Sequence, residues 1–518
     1  MTDSIFSLLP PLVAIAMVIL TRKVILSLGI GSITAAILLA DLSMKETFIY
    51  LYEAVKGIFF VDGALNTWNI FILLFLLILG IITAFISLSG GSRAFGEWAM
   101  TRVKTRIGAQ LLTVVLGIIL FIDDYFNALT VGQVSRPVTD RQNVSRAKLA
   151  YLIDSTSAPI CVVAPISSWG ASIIALIGSI LATHSITEYS AFSAFIQTIP
   201  MNFYVWAALA IVLLVTFGKL DFGPMKKHEK LAIDKGVLYD PNKPMSGELQ
   251  DDLPTSDKGS VKELVWPIIV LFISTVGTMF WTGYKGTNEN ITIFTILENT
   301  DVALSLLLGG LLGLATVYLQ FWLQMTRHKH MPKSLFIKGT IAGVKSMLTS
   351  VIILIFAWVL ADLISQIGTG NYLAGVIAQS SLSPAVIPAL LFIIAGVMAF
   401  STGTSWGSFG ILLPIAGDIA VATDVSLLIP AMAAVLGGAV FGDHASPISD
   451  TSILSATGAG SNLIDHVITQ LPYVLVSAVV AAIGFLVVGF TGSTILSLLT
   501  VAILIAIFAI VIKWFSKE

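Results

Sequence analysis

Nine apolar stretches of about twenty residues run through this chain, near positions 5–21, 24–40, 68–88, 191–217, 263–283, 302–324, 339–363, 468–490 and 494–514. A helix rises ~1.5 Å per residue, so each stretch is about long enough to cross a hydrocarbon layer of ~30 Å. In lipid every backbone polar group must be satisfied internally, which leaves helices as the reading for such runs. Composition points the same way. Of 518 residues, 56% are hydrophobic and 11% charged, too few charges to coat a water-exposed surface. The chain therefore reads as an all-α polytopic membrane protein. A net charge of −2 with no basic stripe excludes a nucleic-acid reader. The single cysteine, Cys161, excludes an intrachain disulfide and a Cys-rich zinc site, and reads as a small apolar filler.

Two longer stretches, ~147–181 and ~425–460, are apolar but interrupted by Pro, Gly, Ser and Asp. Counted as single broken spans, they bring the total to about 11 transmembrane helices. The first stretch is preceded only by Asp3 as a charge and lacks an Ala-x-Ala site, so it reads as a retained span. Lys and Arg in short loops set orientation. Placing Arg22, Lys23, Arg93, Arg102, Arg136, Arg141, Arg146, Lys148, Arg327 and Lys513 in the cytoplasm puts the N-terminus outside and the C-terminus inside. Residues 219–263 carry 17 charged residues in 45 positions and read as a cytoplasmic linker. It divides a first membrane half, 1–218, from a second, 264–518.

Between Arg106 and Arg136 the chain leaves the cytoplasmic side and returns within about 29 residues. Each arm would reach only ~20 Å, too short to cross, so ~107–135 reads as a re-entrant hairpin with its tip at Phe121-Ile-Asp-Asp-Tyr-Phe-Asn127. Segment ~383–423 is expected to do the same from the opposite side, with its tip at Ser401-Thr-Gly-Thr-Ser-Trp-Gly-Ser408. Opposite entry is what two inverted-topology repeats require. A shift of 288 also lays Pro159 on Pro447, Ile160 on Ile448, Ser167 on Ser455, Gly170 on Gly458 and Ala171 on Ala459.

Broken helices survive in lipid only where protein or a wet cavity covers them, so paired breaks point to a binding site at the midplane. Asp123, Asp124, Asp154, Asp443 and Asp450 lie in such segments, where a carboxylate costs at least ~3 kcal/mol. Each is a candidate site for an ion or a proton, weighed against a plain role as a helix cap. Asn127, Ser155, Thr156, Ser157, Ser446, Ser449 and Thr451 surround them with oxygen ligands, which favour a hard alkali cation such as Na⁺ over a transition metal. His444 is a lone imidazole, too little for zinc. The second tip, with Ser401, Thr402, Thr404, Ser405 and Trp406, is neutral and rich in hydroxyls ahead of a helix start, a setting suited to an anionic group. Trp169 and Trp406 read first as packing residues and second as stacking platforms or gates. Together with His444 these form a candidate substrate site.

Phe441-Gly-Asp-His-Ala-Ser-Pro-Ile-Ser-Asp-Thr-Ser452, followed by Ser455-Ala-Thr-Gly-Ala-Gly460, resembles the signature of the NhaC family of bacterial Na⁺/H⁺ antiporters. Asp123-Asp-Tyr-Phe-Asn127 with Asp154-Ser-Thr-Ser-Ala-Pro159 resembles the family's other motif. The resemblance implies an ion-transporter-superfamily fold of two inverted halves with a scaffold and a moving unit. It also implies a transporter, not an enzyme, with no cofactor and with Na⁺ and H⁺ as the moving ions. The mechanism expected from the residues is competition: burial favours the protonated acid, a bound cation favours the carboxylate, and each excludes the other. A second reading keeps the fold and adds a small organic carboxylate or amino acid, which NhaC-like proteins include among their substrates. No membrane-buried Arg or Lys is evident to hold a dicarboxylate, which favours ions or a zwitterion. Expected partners are the lipid bilayer, a small cation, the organic substrate under the second reading, and a second copy in a homodimer. An intramembrane protease and a passive cation channel are the competing classes. Acids recurring on broken helices in both halves speak against each.

Overall fold

The computed structural model describes residues 2–515 except 22, 62, 122, 166, 219, 245–255, 257–258, 288–290, 328–333, 370–371, 373–374 and 376–382. Among the described residues, ten helices are long and apolar enough to cross a membrane. The only strands among them form a two-residue ribbon, Phe60–Val61 with Ala64–Leu65. The chain is an all-α polytopic membrane protein.

Local chemistry explains where the helices break. In the first half, Thr105 caps a helix over Arg106–Ile119, accepting from the Gly108 amide at 3.0 Å. The chain turns and continues as Asp124–Arg141. Next, Ser145 caps Arg146–Asp154, the backbone breaks at Ser157 (φ −92°, ψ −87°), and a single turn follows over Ala158–Cys161. Ser167 then caps Ser168–Thr183. In the second half, Ile387–Thr402 ends on Gly403 at φ 71°, a left-handed conformation that glycine adopts without strain, and Ser405–Thr423 returns. Leu428–Ala445 breaks over 446–449, and Ser449 caps Asp450–Ala459.

Small residues let these pieces approach closely. A Cβ at Gly442 would overlap the Gly396 carbonyl oxygen, so the inner arm of the second hairpin lies backbone-to-backbone on the helix that carries Asp443. Gly132 meets Gly458 in the same manner. That contact joins the first-half hairpin to the second half's broken helix.

Five expectations differ from what is observed. The stretch 191–217 is two helices, Ala191–Met201 and Phe203–Gly218, separated at Asn202, whose backbone (φ −77°, ψ 70°) is not helical. The second hairpin's arms, 384–402 and 405–423, are 19 residues each, against 14 in Arg106–Ile119. The first hairpin's other arm, Asp124–Arg141, has 18 residues, so arm length alone does not tell either hairpin from a pair of spans. The linker is more than a solvated spacer, because Gly223–Lys235 is a helix that buries Met225, Glu229 and Ala232 against the bundle. Its Glu229 accepts from Arg106 at 2.5 Å and from the Ser145 amide at 2.8 Å. Arg146 and Lys148, which charge alone assigns to a loop, are buried and paired with Asp140 and Asp221. Finally, the 288 shift does not equate like with like. Ser167 caps a helix whereas Ser455 lies inside one, and the matching cap is Ser449.

Candidate functional site

The breaks bring three buried carboxylate environments together. At the second break, Asp443 occupies the last turn of Leu428–Ala445 and is 1% exposed. Its Oδ2 accepts from the Ser405 hydroxyl at 2.8 Å and from Thr451 at 3.3 Å, and its Oδ1 accepts from Ser449 at 2.5 Å. Ser405 opens the outer arm of the second hairpin, while Ser449 and Thr451 open the helix after the break. One carboxylate thus faces two helix N-termini through hydroxyls, an arrangement that the helix dipole favours. The hydroxyl-rich tip that the sequence offers to an external anion already serves an internal one.

At the first hairpin's tip, the Trp169 indole N–H donates to Asp124 Oδ1 at 2.9 Å, and Oδ2 has no hydrogen-bond partner among the described residues. Tyr125 donates to Asp450 Oδ2 at 2.6 Å, linking the tip to the second broken helix across 325 positions. A cavity of about 400 Å³ opens here, lined by Asp123, Asp124 and Asp450 and by three tryptophans, Trp68, Trp358 and Trp406. Thr402 and Thr404 also line it. Trp406 meets Trp169 edge-on with ring centroids 5.2 Å apart. Asp124, Asp443 and Asp450 have no ion pair with Lys or Arg among the described residues.

Asp154 is held differently. It accepts from Ser452 and Ser455 at 3.1 Å each and from Gln470 at 2.7 Å, and His466 Nε2 lies 3.1 Å away. His444 Nε2 is 3.7 Å from the same carboxylate, and its Nδ1 is 2.8 Å from the Tyr204 hydroxyl. Ser155 sits 3.3 Å from His444. Asp154 and His444 thus share one buried network, and Asp154 does not line the cavity.

Several residues singled out from sequence have local duties instead. Asn127 donates to the carbonyls of Gly117, Leu120 and Thr156 at 2.6, 3.1 and 3.4 Å, stapling the hairpin to the first broken helix. Thr156 and Thr402 return their hydroxyls to carbonyls one turn back, and Ser446 donates to the Phe400 carbonyl at 2.7 Å. Ser157 and Ser401 are buried, and the Ser157 hydroxyl has no hydrogen-bond partner. Among the described residues no three His, Cys, Asp or Glu side chains form a metal-holding group, so a cation here would draw on hydroxyls and carbonyls as well as carboxylates.

Sequence reasoning passed over Tyr125, Tyr204, Ser455, His466 and Gln470 as site residues. His466 and Gln470 stand four apart on one helix and so share a face, a polar pair at the mouth of an apolar run that was available as a signal. Tyr204 carried no such signal.

The sequence profile of the Na⁺/H⁺ antiporter family matches residues 160–490. A Haemophilus influenzae protein of uncharacterized activity is 44% identical over 514 residues, covering 98% of this chain and 96% of its own. The malate-2H⁺/Na⁺-lactate antiporter of Bacillus subtilis is 36% identical over 21% of this chain, and an uncharacterized Na⁺/H⁺ antiporter of Haemophilus influenzae 33% over a similar 21%. Each of those two matches spans 23% of the relative's own length.

Proposed function

The chain belongs to the Na⁺/H⁺ antiporter family, and we propose that it exchanges Na⁺ for H⁺ at its buried aspartates, each holding one ion or the other in turn. It is a secondary transporter of the antiporter type and a multi-pass membrane protein, not an enzyme.

The observation that carries the exchange reading is the Asp443 cluster. A carboxylate sealed from water, facing Ser405, Ser449 and Thr451 and lacking a basic partner, is costly to leave bare. A proton removes the charge, and a Na⁺ sharing the hydroxyl oxygens balances it. Both relieve the same cost, so they compete. Asp450 and Asp124 border the cavity and would pass the cation inward. Asp154, already held by Gln470 and His466, would set the charge around His444. In this reading the first hairpin is re-entrant, the two halves are inverted repeats, the N-terminus lies outside and the C-terminus inside.

The test is transport in liposomes with a Na⁺-loaded lumen. As Na⁺ leaves, the lumen should acidify, and Asp443→Asn should stop the acidification while the purified protein melts as before. Full exchange in that variant would remove Asp443 from the mechanism.

A second reading is favoured by one observation, the cavity. At about 400 Å³ it is within the size range of small-molecule sites and far larger than an alkali ion needs. A small organic carboxylate or amino acid coupled to Na⁺ or H⁺ would use such a volume, and one antiporter of malate and lactate is a relative. Uptake of labelled lactate or of an amino acid driven by a Na⁺ gradient would support this reading.

A further inference from the structure

We infer that the cavity at the first hairpin's tip takes a small organic ammonium ion with an apolar body and rejects an organic anion that lacks an ammonium group, which narrows the second reading to an amino acid. The inference rests on the antiport reading, since it names an occupant for the acidic cavity through which Na⁺ would enter.

Three features of the cavity lead there. The first is charge. Asp123, Asp124 and Asp450 line it, and no Lys, Arg or His does among the described residues. A carboxylate placed here would meet three acids and no counter-charge. The second is an unsatisfied acceptor. Asp124 is 3% exposed and its Oδ1 is occupied by Trp169, yet its Oδ2 has no partner among the described residues. A buried acceptor without a donor is costly, more so when charged, and an ammonium N–H is the donor that fits. The third is the rest of the wall. Trp68, Trp358 and Trp406 line it, joined by Ile72, Leu306 and Ile448. An alkali ion gains little from such a surface. An alkyl or aryl body gains burial, and a cation beside indole gains the attraction of the ring quadrupole.

Volume agrees with this division of labour. At ~30 Å³ per water, the cavity would hold on the order of a dozen waters, many of them against hydrocarbon. Displacing those waters with an apolar body is favourable, whereas an ion would keep them.

The experiment uses the full-length protein in liposomes and two probes of the same shape, 2-phenylethylammonium and 3-phenylpropionate. Na⁺-driven acidification is recorded with each probe at about 1 mM, and tryptophan fluorescence reports occupancy directly. The ammonium should quench the fluorescence and inhibit Na⁺ exchange in competition with Na⁺, while the carboxylate does neither. Trp358→Leu and Trp68→Leu should each weaken ammonium inhibition about tenfold or more, measured against each variant's own Na⁺ exchange without probe. Equal effects from the two probes, or no quenching by the ammonium while Na⁺ exchange is intact, would overturn the inference and leave the antiport reading standing. Ammonium binding in a protein that shows no Na⁺/H⁺ exchange would do the reverse.

Discussion

Ser405 donates its hydroxyl to the Asp443 carboxylate at 2.8 Å, across 38 positions of sequence. This contact ties the start of the second hairpin's outer arm to the break in the helix bearing Asp443. Any movement of the hairpin relative to that helix changes the hydrogen bonding of the carboxylate. Under the proposed exchange, an ion held at Asp443 would be coupled to any motion of the hairpin through this bond and through the Ser446 hydroxyl on the Phe400 carbonyl, as alternating access requires of a site.

Loss of the Asp443 hydroxyl cage should show as a change in ion affinity before it shows as a change in fold. Ser405→Ala removes one donor while Ser449 remains, so the Na⁺ concentration for half-maximal exchange should rise about 3- to 30-fold, with a melting temperature within a few degrees of the parent. Exchange kinetics and thermal unfolding of the purified variant measure both. An unchanged Na⁺ dependence would sink the assignment of Ser405 as a partner of the ion-binding carboxylate.

Competition has a definite sign in pH. The protonated acid cannot hold Na⁺, so below the titration point of the site the apparent Na⁺ affinity should fall about tenfold per pH unit. Well above that point it should be flat. Maximal exchange at saturating Na⁺ should stay the same on the acidic side if opposite-side pH is fixed. Na⁺ titrations of exchange at several pH values test this, and a pH-independent affinity would exclude a shared site.

Asn127 should behave as a structural residue. Asn127→Ala abandons two carbonyls of the hairpin and one of the first broken helix, at a cost of about 1–3 kcal/mol, and should lower the melting temperature. Exchange per folded molecule should survive. If exchange disappears with the melting temperature unchanged, Asn127 belongs to the ion path after all.

Gly442→Ala drives a methyl group into the Gly396 carbonyl and should cost about 1–3 kcal/mol or more through overpacking. Lower yield and earlier melting are expected, measured beside Ala445→Gly, a change one turn along the same helix that leaves the Gly396 contact intact.

The linker helix should come loose when its buried acid is removed. Glu229→Ala leaves Arg106 and the Ser145 amide without their acceptor, and limited proteolysis should then cut near 223–235 faster than in the parent.

The sequence by itself determined the solvent, the element type and the positions of the breaks. Uninterrupted apolar runs can be satisfied in lipid only as helices, and Asp, Ser, Pro and Gly interrupt those runs at the places where the backbone leaves helical geometry, near 120–123, 155–157 and 446–449. It also marked Asp124, Asp443 and Asp450, because acids within apolar segments are too costly to be accidental. What it left open are relations between distant segments. Tyr125 reaches Asp450 across 325 positions and Gln470 reaches Asp154 across 316, and no local period encodes either pairing. Only the packed helices decided that Asp154 shares a network with His444 while Asp124 borders a cavity, that Asn127 staples a hairpin, and that Lys148 is buried against Asp221. The reason is physical. Hydrophobicity and chain breaks are properties of a segment, whereas the partner of a buried polar group is chosen by which helices the small residues allow to meet.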